Sequence, residues 1–200
     1  MKIIYRLGVA LLISGATFAC TGKSSSEGDR AFNRGAYKEA VNEYSQDLKY
    51  NPNDVVLLFN RGRAHEEQGQ LDSAIADFEK ALALEPNNSQ VLLAISNLHY
   101  SQDNYSKALI YASKAEEIPG APAMASFMKA RALHQMGHTA DAMKAYSNAI
   151  QLDKNFAQAY FNRGMLKTAM KQKRGACEDF QIAKSLEYPG AQDALNKFCK

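Results

Sequence analysis

Residues 59–86 read FNRGRAHEEQGQLDSAIADFEKALALEP, and this stretch decides how the whole chain is read. Ala74, Phe78 and Ala81 stand at i, i+4 and i+7, the spacing that puts side chains on one face of a helix. Twelve residues before Ala74 comes Gly62, small enough to let a preceding helix approach closely. Gly69 falls between the two faces, where a helix must stop and turn, and Pro86 ends the second helix because proline cannot continue one. The stretch is therefore one helix, a tight turn, and a second helix packed back on the first.

Moving outward in steps of 34 residues, the pattern returns without insertion. Ala40, Ala74, Ala108, Ala142 and Ala176 form one column. Tyr44, Phe78, Ala112, Tyr146 and Phe180 form a second, with Asp47, Ala81, Ala115, Ala149 and Ala183 a third. The small-residue column is Gly28, Gly62, Ser96, Ala130 and Gly164. Turn glycines recur at Gly35, Gly69 and Gly137, and Pro52, Pro86 and Ile118-Pro119-Gly120 close their units. A fixed period of this length is the signature of a helical solenoid.

Gly62, Gly69, Leu71, Ala74, Phe78, Ala81 and Pro86 resemble the tetratricopeptide-repeat (TPR) signature. The resemblance covers five units, 21–54, 55–88, 89–122, 123–156 and 157–190, followed by a capping helix within 191–200. It implies an all-α fold, a right-handed α-α superhelix of about five helix-turn-helix repeats plus the C-terminal cap. The departures are local. Asp103 and Lys171 replace the usual turn glycine, and Leu152-Asp153-Lys154-Asn155 closes the fourth unit without proline. The first unit has a short leading helix, expected to open at Ser24 with Glu27 three places on, a capping-box spacing. Phe-Asn-Arg-Gly occurs at 32–35, 59–62 and 161–164, and only the last two copies are in frame.

Ahead of the repeats, residues 1–19 read as a signal peptide. Lys2 and Arg6 supply the positive start, Leu7 to Ile13 is apolar, and Ser14 to Ala19 is a small-residue exit. That apolar run is too short for a bilayer core of roughly 30 Å. Thr17-Phe18-Ala19-Cys20 resembles the lipobox of bacterial lipoproteins, in which the cysteine is lipidated, although Thr17 stands where leucine is preferred. The polar run after Cys20 favours a lipid anchor with a short tether over residues 20–24; cleavage to a secreted or soluble periplasmic form is the alternative. A lipidated Cys20 leaves Cys177 and Cys199 as an even pair. Two antiparallel helices about the Tyr188-Pro189-Gly190 turn would bring these thiols level, giving either a disulfide or two buried thiols.

The 24 basic and 21 acidic residues nearly balance, and the chain after residue 19 keeps 22 against 21. Nucleic acid, which wants a strongly basic face, is therefore not an expected partner. Lys167, Lys171, Lys173 and Arg174 form a local basic cluster, read as a solvated edge before a lipid or acidic contact. His134 and His138 have a metal-ligand spacing, but Gly137 interrupts their helix. No nucleophile elbow, phosphate loop or Gly-rich dinucleotide turn is present, and nothing pairs a nucleophile with a base, so neither catalysis nor a cofactor nor a small-molecule substrate is expected.

What the resemblance implies is protein binding in a concave groove lined by the leading helices. The candidate columns there are Phe59, Leu93, Phe127 and Phe161; Asn60, Ala94, Met128 and Asn162; and Arg63, Asn97, Arg131 and Met165. Aromatic anchors beside Asn and Arg donors would hold a peptide or helical segment by apolar burial and hydrogen bonds, although aromatic residues at this place are also partly structural in the family. The Lys and Asn places of the family's chaperone-tail clamp hold other residues here, among them Phe59, Arg63, Gln90 and Ala94, so that clamp is not matched. The expected role is an adaptor or scaffold of the bacterial cell envelope, tethered by lipid to the outer membrane. A structural subunit of an envelope machine is the alternative, followed by a glycan-binding accessory using Tyr100 and Tyr105.

Overall fold

The structure is a computed structural model and describes residues 26–200, all of whose regular elements are helices. Eleven helices follow one another among the described residues: α1 Glu27–Asn33, α2 Tyr37–Tyr50, α3 Val55–Glu67, α4 Leu71–Leu84, α5 Ser89–Ser101, α6 Tyr105–Glu116, α7 Ala123–Gln135, α8 Thr139–Leu152, α9 Ala157–Ala169, α10 Lys173–Ser185 and α11 Ala191–Phe198. Odd-numbered helices up to α9 lead each repeat and even-numbered ones return. Each helix packs on the next in sequence, and the leading helices α5 and α7 also touch each other directly. Local pairing of this kind is what makes a solenoid.

The columns meet as their sizes require. A Cβ placed on Gly62 would come within 2.5 Å of the Phe78 ring, and one on Gly28 within 2.4 Å of Tyr44. Glycine thus makes room for the aromatic residue of its own returning helix. The third repeat shows the compensation: Ser96 stands in the glycine column, Ala112 in the aromatic one, and the buried Ser96 hydroxyl donates to the Ala108 carbonyl at 2.8 Å. The internal hydrogen bond offsets the cost of taking the hydroxyl out of water.

Turns keep one backbone shape despite the sequence departures. Gly35, Gly69 and Gly137 have positive φ, and Asp103, Lys171 and Glu187 adopt it as well, at φ 57°, 60° and 58°. An L-residue in this region costs roughly 1–2 kcal/mol, so packing of the flanking helices decides the turn against local preference.

One boundary differs from the sequence expectation. Helix α1 is capped by Ser26, whose hydroxyl accepts from the Asp29 amide at 3.1 Å while the Asp29 carboxylate accepts from the Ser26 amide at 3.2 Å. The reciprocal box is therefore Ser26–Asp29, two residues later than the Ser24–Glu27 box. Asp29 is drawn inward because its other oxygen accepts from Tyr44 and Asn60 of later helices, a tertiary pull invisible to local spacing. Residues 1–25, with the signal segment, Cys20 and Ser24, lie outside the described residues.

Candidate functional site: the inner face of the leading helices

The leading helices touch through pairs 31 residues apart. Asn60 Nδ2 donates to Asp29 Oδ1 at 3.2 Å, and Asn97 Nδ2 to Glu66 Oε1 at 3.3 Å. The Arg63 guanidinium lies over the Phe32 ring at 4.6 Å, and that of Arg131 over Tyr100 at 3.9 Å. Each contact joins one leading helix to the leading helix before it, so the row runs along the inner face of the array. Burial raises the Glu66 carboxyl above its ordinary value, with the neighbouring Glu67 adding to the effect against Asn97 and Arg63. At the N-terminal end, Asp29, Phe32, Asn33, Tyr44, Asn60 and Arg63 line a recess of about 300 Å³. Burial, and then the hydrogen bond to Asp29, push the Tyr44 phenol well above its usual range.

The aromatic column expected here as exposed anchors belongs largely to the core instead. Phe127 is only 1% exposed, with its ring 4.8 Å from that of Phe156 and 6.0 Å from Tyr146. Phe59 is buried against Phe78, and Met128 is buried too. Leu93 and Phe161 are half-covered, Phe161 lying between Phe180 and Tyr188 at 5.7 and 4.9 Å. These side chains fill the gap between a leading helix and the aromatic residues around it, which leaves Phe59 and Phe127 little surface for a partner. What remains on the surface are the polar columns: Arg63, Asn97 and Met165 are exposed, and Asn60, Arg131 and Asn162 partly so.

The residues that spacing did not single out are Phe32, Glu66 and Tyr100, the platform row 31 positions before Arg63, Asn97 and Arg131. Their identities vary, so no repeated residue marks them. Tyr100 does not offer a free sugar-stacking face. Arg131 covers it, Tyr105 meets it edge-on at 5.2 Å, and Gln135 donates to its hydroxyl at 3.1 Å.

The in-frame Phe-Asn-Arg-Gly copies have a separate, structural role. Arg61 makes a two-pronged pair with Asp77 at 2.8 and 2.6 Å and reaches Ser45 of the preceding repeat at 3.1 Å. Arg163 repeats this with Asp179 at 2.9 and 2.7 Å and Ser147 at 3.0 Å, and Lys167 joins Asp179 at 2.9 Å. Of the two repeats between, the third has Ile95 and Tyr111 at these places, and the fourth has Ala145 for the aspartate, with Lys129 turned to Glu116 at 2.6 Å. Burial alone would raise the Glu116 carboxyl, but hydrogen bonds from Lys129 and Ser126 hold it below its ordinary value. The basic cluster is likewise largely occupied: Lys167 is paired with Asp179, Lys173 donates to the Lys200 carbonyl, and Arg174 meets Glu178 at 3.1 Å. His134 lies in the last turn of α7 while His138 caps α8, so the two do not share a helix face; burial lowers His134 below its ordinary value.

At the far end Cys177 of α10 and Cys199, just past α11, are joined in a disulfide with Cα atoms 5.7 Å apart. It ties down the cap, whose Phe198 packs on Phe180 with ring centres 6.1 Å apart. The bond closes a 22-residue separation. In the chain-entropy model a loop of this size is worth about 3 kcal/mol. Reduction, or Cys199→Ser, is expected to lower unfolding free energy by about that amount and to open the amides of α11 first in hydrogen exchange. Unchanged melting on full reduction would remove this role.

A family model described as tetratricopeptide repeat matches residues 55–88, and one described as TPR repeat matches 28–69 and 130–168, together half of the chain. The chain belongs to the tetratricopeptide-repeat family. A DnaJ protein P58IPK homolog from Arabidopsis thaliana is 27% identical over 164 residues, which covers 74% of this chain and 34% of that protein. The chain spans 11% to 34% of the length of eight curated relatives that it matches. Among solved structures, MamA superposes with a TM-score of 0.74 at 22% identity, covering 84% of this chain and 99% of that one. YrrB, described as a TPR protein with an unusual peptide-binding site, gives 0.68 at 19% identity, covering 84% and 87%. These likenesses establish the TPR solenoid, an architecture whose stacked repeats present a long concave surface suited to other proteins.

Proposed function

We propose that this TPR protein is a membrane-tethered adaptor of a bacterial cell envelope that holds a segment of a partner protein on its inner face. The observation that carries the reading is the continuous polar row from Asn60 through Arg63 and Asn97 to Arg131, accessible and positioned by helix-to-helix contacts rather than by loops. Side chains set on rigid helices are preorganised, which lowers the entropic cost of binding an extended segment. The peptide-binding site named for YrrB supports the same use of the fold. Export and tethering rest on the sequence from Lys2 to Cys20. Among the described residues no helix is long and apolar enough to cross a membrane. From Cys20 to the Ser26 cap the chain reaches at most about 20 Å, so an anchored protein would carry its first repeat close to the bilayer.

Two measurements test the parts separately. A photo-cross-linking residue at position 97, on the inner face, is expected to give a discrete protein adduct in native membranes, and one at position 72, on the opposite helix layer, none. An adduct from 72 alone would place the partner elsewhere. Cys20→Ser is expected to move the protein into the soluble fraction and abolish lipid labelling; a membrane-bound variant that keeps its label would overturn the tether.

A further inference from the structure

Each helix packs back on the one before it across a short connection, so the starts of the leading helices and the ends of the returning helices share one edge of the solenoid. The junctions between repeats continue into one another along this edge. Lys80, near the end of α4, donates to the Pro52 carbonyl at 2.7 Å. A recess of about 460 Å³ joins Pro86 and Asn87 to Ile118 and Pro119, and another of about 430 Å³ joins Pro122 and Met124 to Leu152 and Phe156. Ten large apolar side chains stand exposed among the described residues, and five lie on this edge: Tyr50, Val56, Leu84, Met124 and Leu152. Each is the last or the second residue of its helix. Tyr50 is 84% exposed and Val56 61%, the two most open of the ten. The opposite edge, built from the tight turns, carries Met136 and Met170 of that set.

We infer that this edge lies against the surface of a zwitterionic bilayer, with Tyr50 and Val56 entering the headgroup layer and Leu84 following along the row. The inference rests on the lipid tether proposed above. What selects a bilayer as the occupant is the place where that tether joins the fold. Ser26 caps the start of α1, so the chain enters on this same edge, and Cys20 stands six residues earlier. Those residues reach at most about 20 Å. The returning helix α2 has 14 residues and so runs about 21 Å from one edge to the other. The tether therefore has no slack to pass round the first repeat, and an anchored Cys20 turns the apolar row toward the membrane. Confinement beside the bilayer raises the effective concentration, so that a few individually weak contacts act together. Tyrosine suits the headgroup layer because its ring is apolar and its hydroxyl stays wet. Charge points to the same kind of surface: residues 50–56, 84–90, 117–124 and 152–158 carry Asp54, Glu85, Glu117 and Asp153 against Lys154 alone. Such an edge is not drawn to anionic headgroups, and burial of apolar side chains is what holds it.

The test places the full lipidated protein on phosphatidylcholine vesicles that contain a nitroxide-bearing quencher lipid. A fluorophore is attached to one added cysteine at a time, on the loop edge by Asn51→Cys or Asn87→Cys and on the turn edge by Gln102→Cys or Gln172→Cys. Cys177 and Cys199 are bonded to each other and do not take the label. Quenching at 51 and 87 is expected to be at least threefold that at 102 and 172. In the double variant Tyr50→Ser with Val56→Ser, which alters two exposed side chains and leaves melting unchanged, the two edges are expected to be quenched alike while the protein stays on the vesicles. Equal quenching of both edges in the parent protein, none at either, or a difference that survives the double variant would each overturn the inference; in the last case the tether alone sets the orientation. Lipid mass on Cys20 keeps the two readings apart. Protein without lipid removes the tether and this inference with it, whereas lipidated protein with both edges quenched alike removes the inference and leaves the tether standing.

Discussion

Phe127→Ala is expected to destabilise the protein by about 3–5 kcal/mol, the range for truncating a buried phenylalanine. Phe127 is 1% exposed, and its ring joins Tyr146 of its own repeat to Phe156 at the entry to the next. Truncation opens a cavity at the junction between the fourth and fifth repeats. In a solenoid, stability is close to a sum of repeat and nearest-neighbour terms, so losing one junction also loosens the cooperativity of the array. Urea unfolding followed by circular dichroism is therefore expected to show a lower midpoint and a broader transition, resolving into two steps. Arg131→Gln, one turn further along α7, is expected to change stability by no more than about 0.5 kcal/mol, as surface substitutions usually do. If Phe127→Ala instead abolished partner binding with stability intact, the ring would belong to the binding face and its assignment to the core would be wrong.

The second large effect concerns Asp179, which is 2% exposed and faces both Arg163 and Lys167. Asp179→Ala strands two cations in a recess built around a carboxylate. Removing one partner of a buried pair typically costs about 3–5 kcal/mol, because the remaining charge is desolvated without compensation. A loss near the upper end is expected, and it should be nearly independent of salt between low and physiological ionic strength, since buried pairs are weakly screened. The double variant Arg163→Met with Asp179→Leu should recover part of the loss, because an apolar pair replaces one of the two stranded cations while Lys167 still lacks its partner. Asp77→Ala should cost less, since Arg61 is more exposed than Arg163 and only the distant His65 stands in the place of Lys167. Equal melting temperatures for wild type and Asp179→Ala would show that the clamp contributes nothing to joining the repeats.

Both predictions bear on residues that sequence reading placed differently or passed over. Phe127 recurs in register with Phe59 and Phe161, and periodicity shows that such a column shares a helix face. It does not show which of two adjacent faces is covered, because a leading helix in a solenoid touches its own returning helix and the helices of the next repeat. Burial of Phe59 and Phe127, against exposure of Arg63 and partial exposure of Arg131 four residues on, depends on how far each repeat is rotated relative to the last. The Arg61–Asp77 and Arg163–Asp179 clamps left a visible trace, an in-frame motif with an aspartate 16 residues later in both copies. The antiparallel packing of the two helices was already legible; which side chains meet across it depends on how each helix is rotated about its axis, and that only the structure shows.

What the sequence determined by itself was the repeating unit: its 34-residue length, the close approach at Gly62, the turn at Gly69 and the register of every helix that follows. Those features are local, set by helix periodicity and backbone sterics, so they can be read from neighbours along the chain. Tertiary structure alone decided the shift of the first cap to Ser26, the burial of the phenylalanine column, and the stacking of Arg63 and Arg131 on Phe32 and Tyr100. Each of these depends on contacts between residues 15 to 35 positions apart, and their energies come from which side chains meet when one helix packs on another, a relation that spacing along a single helix does not contain.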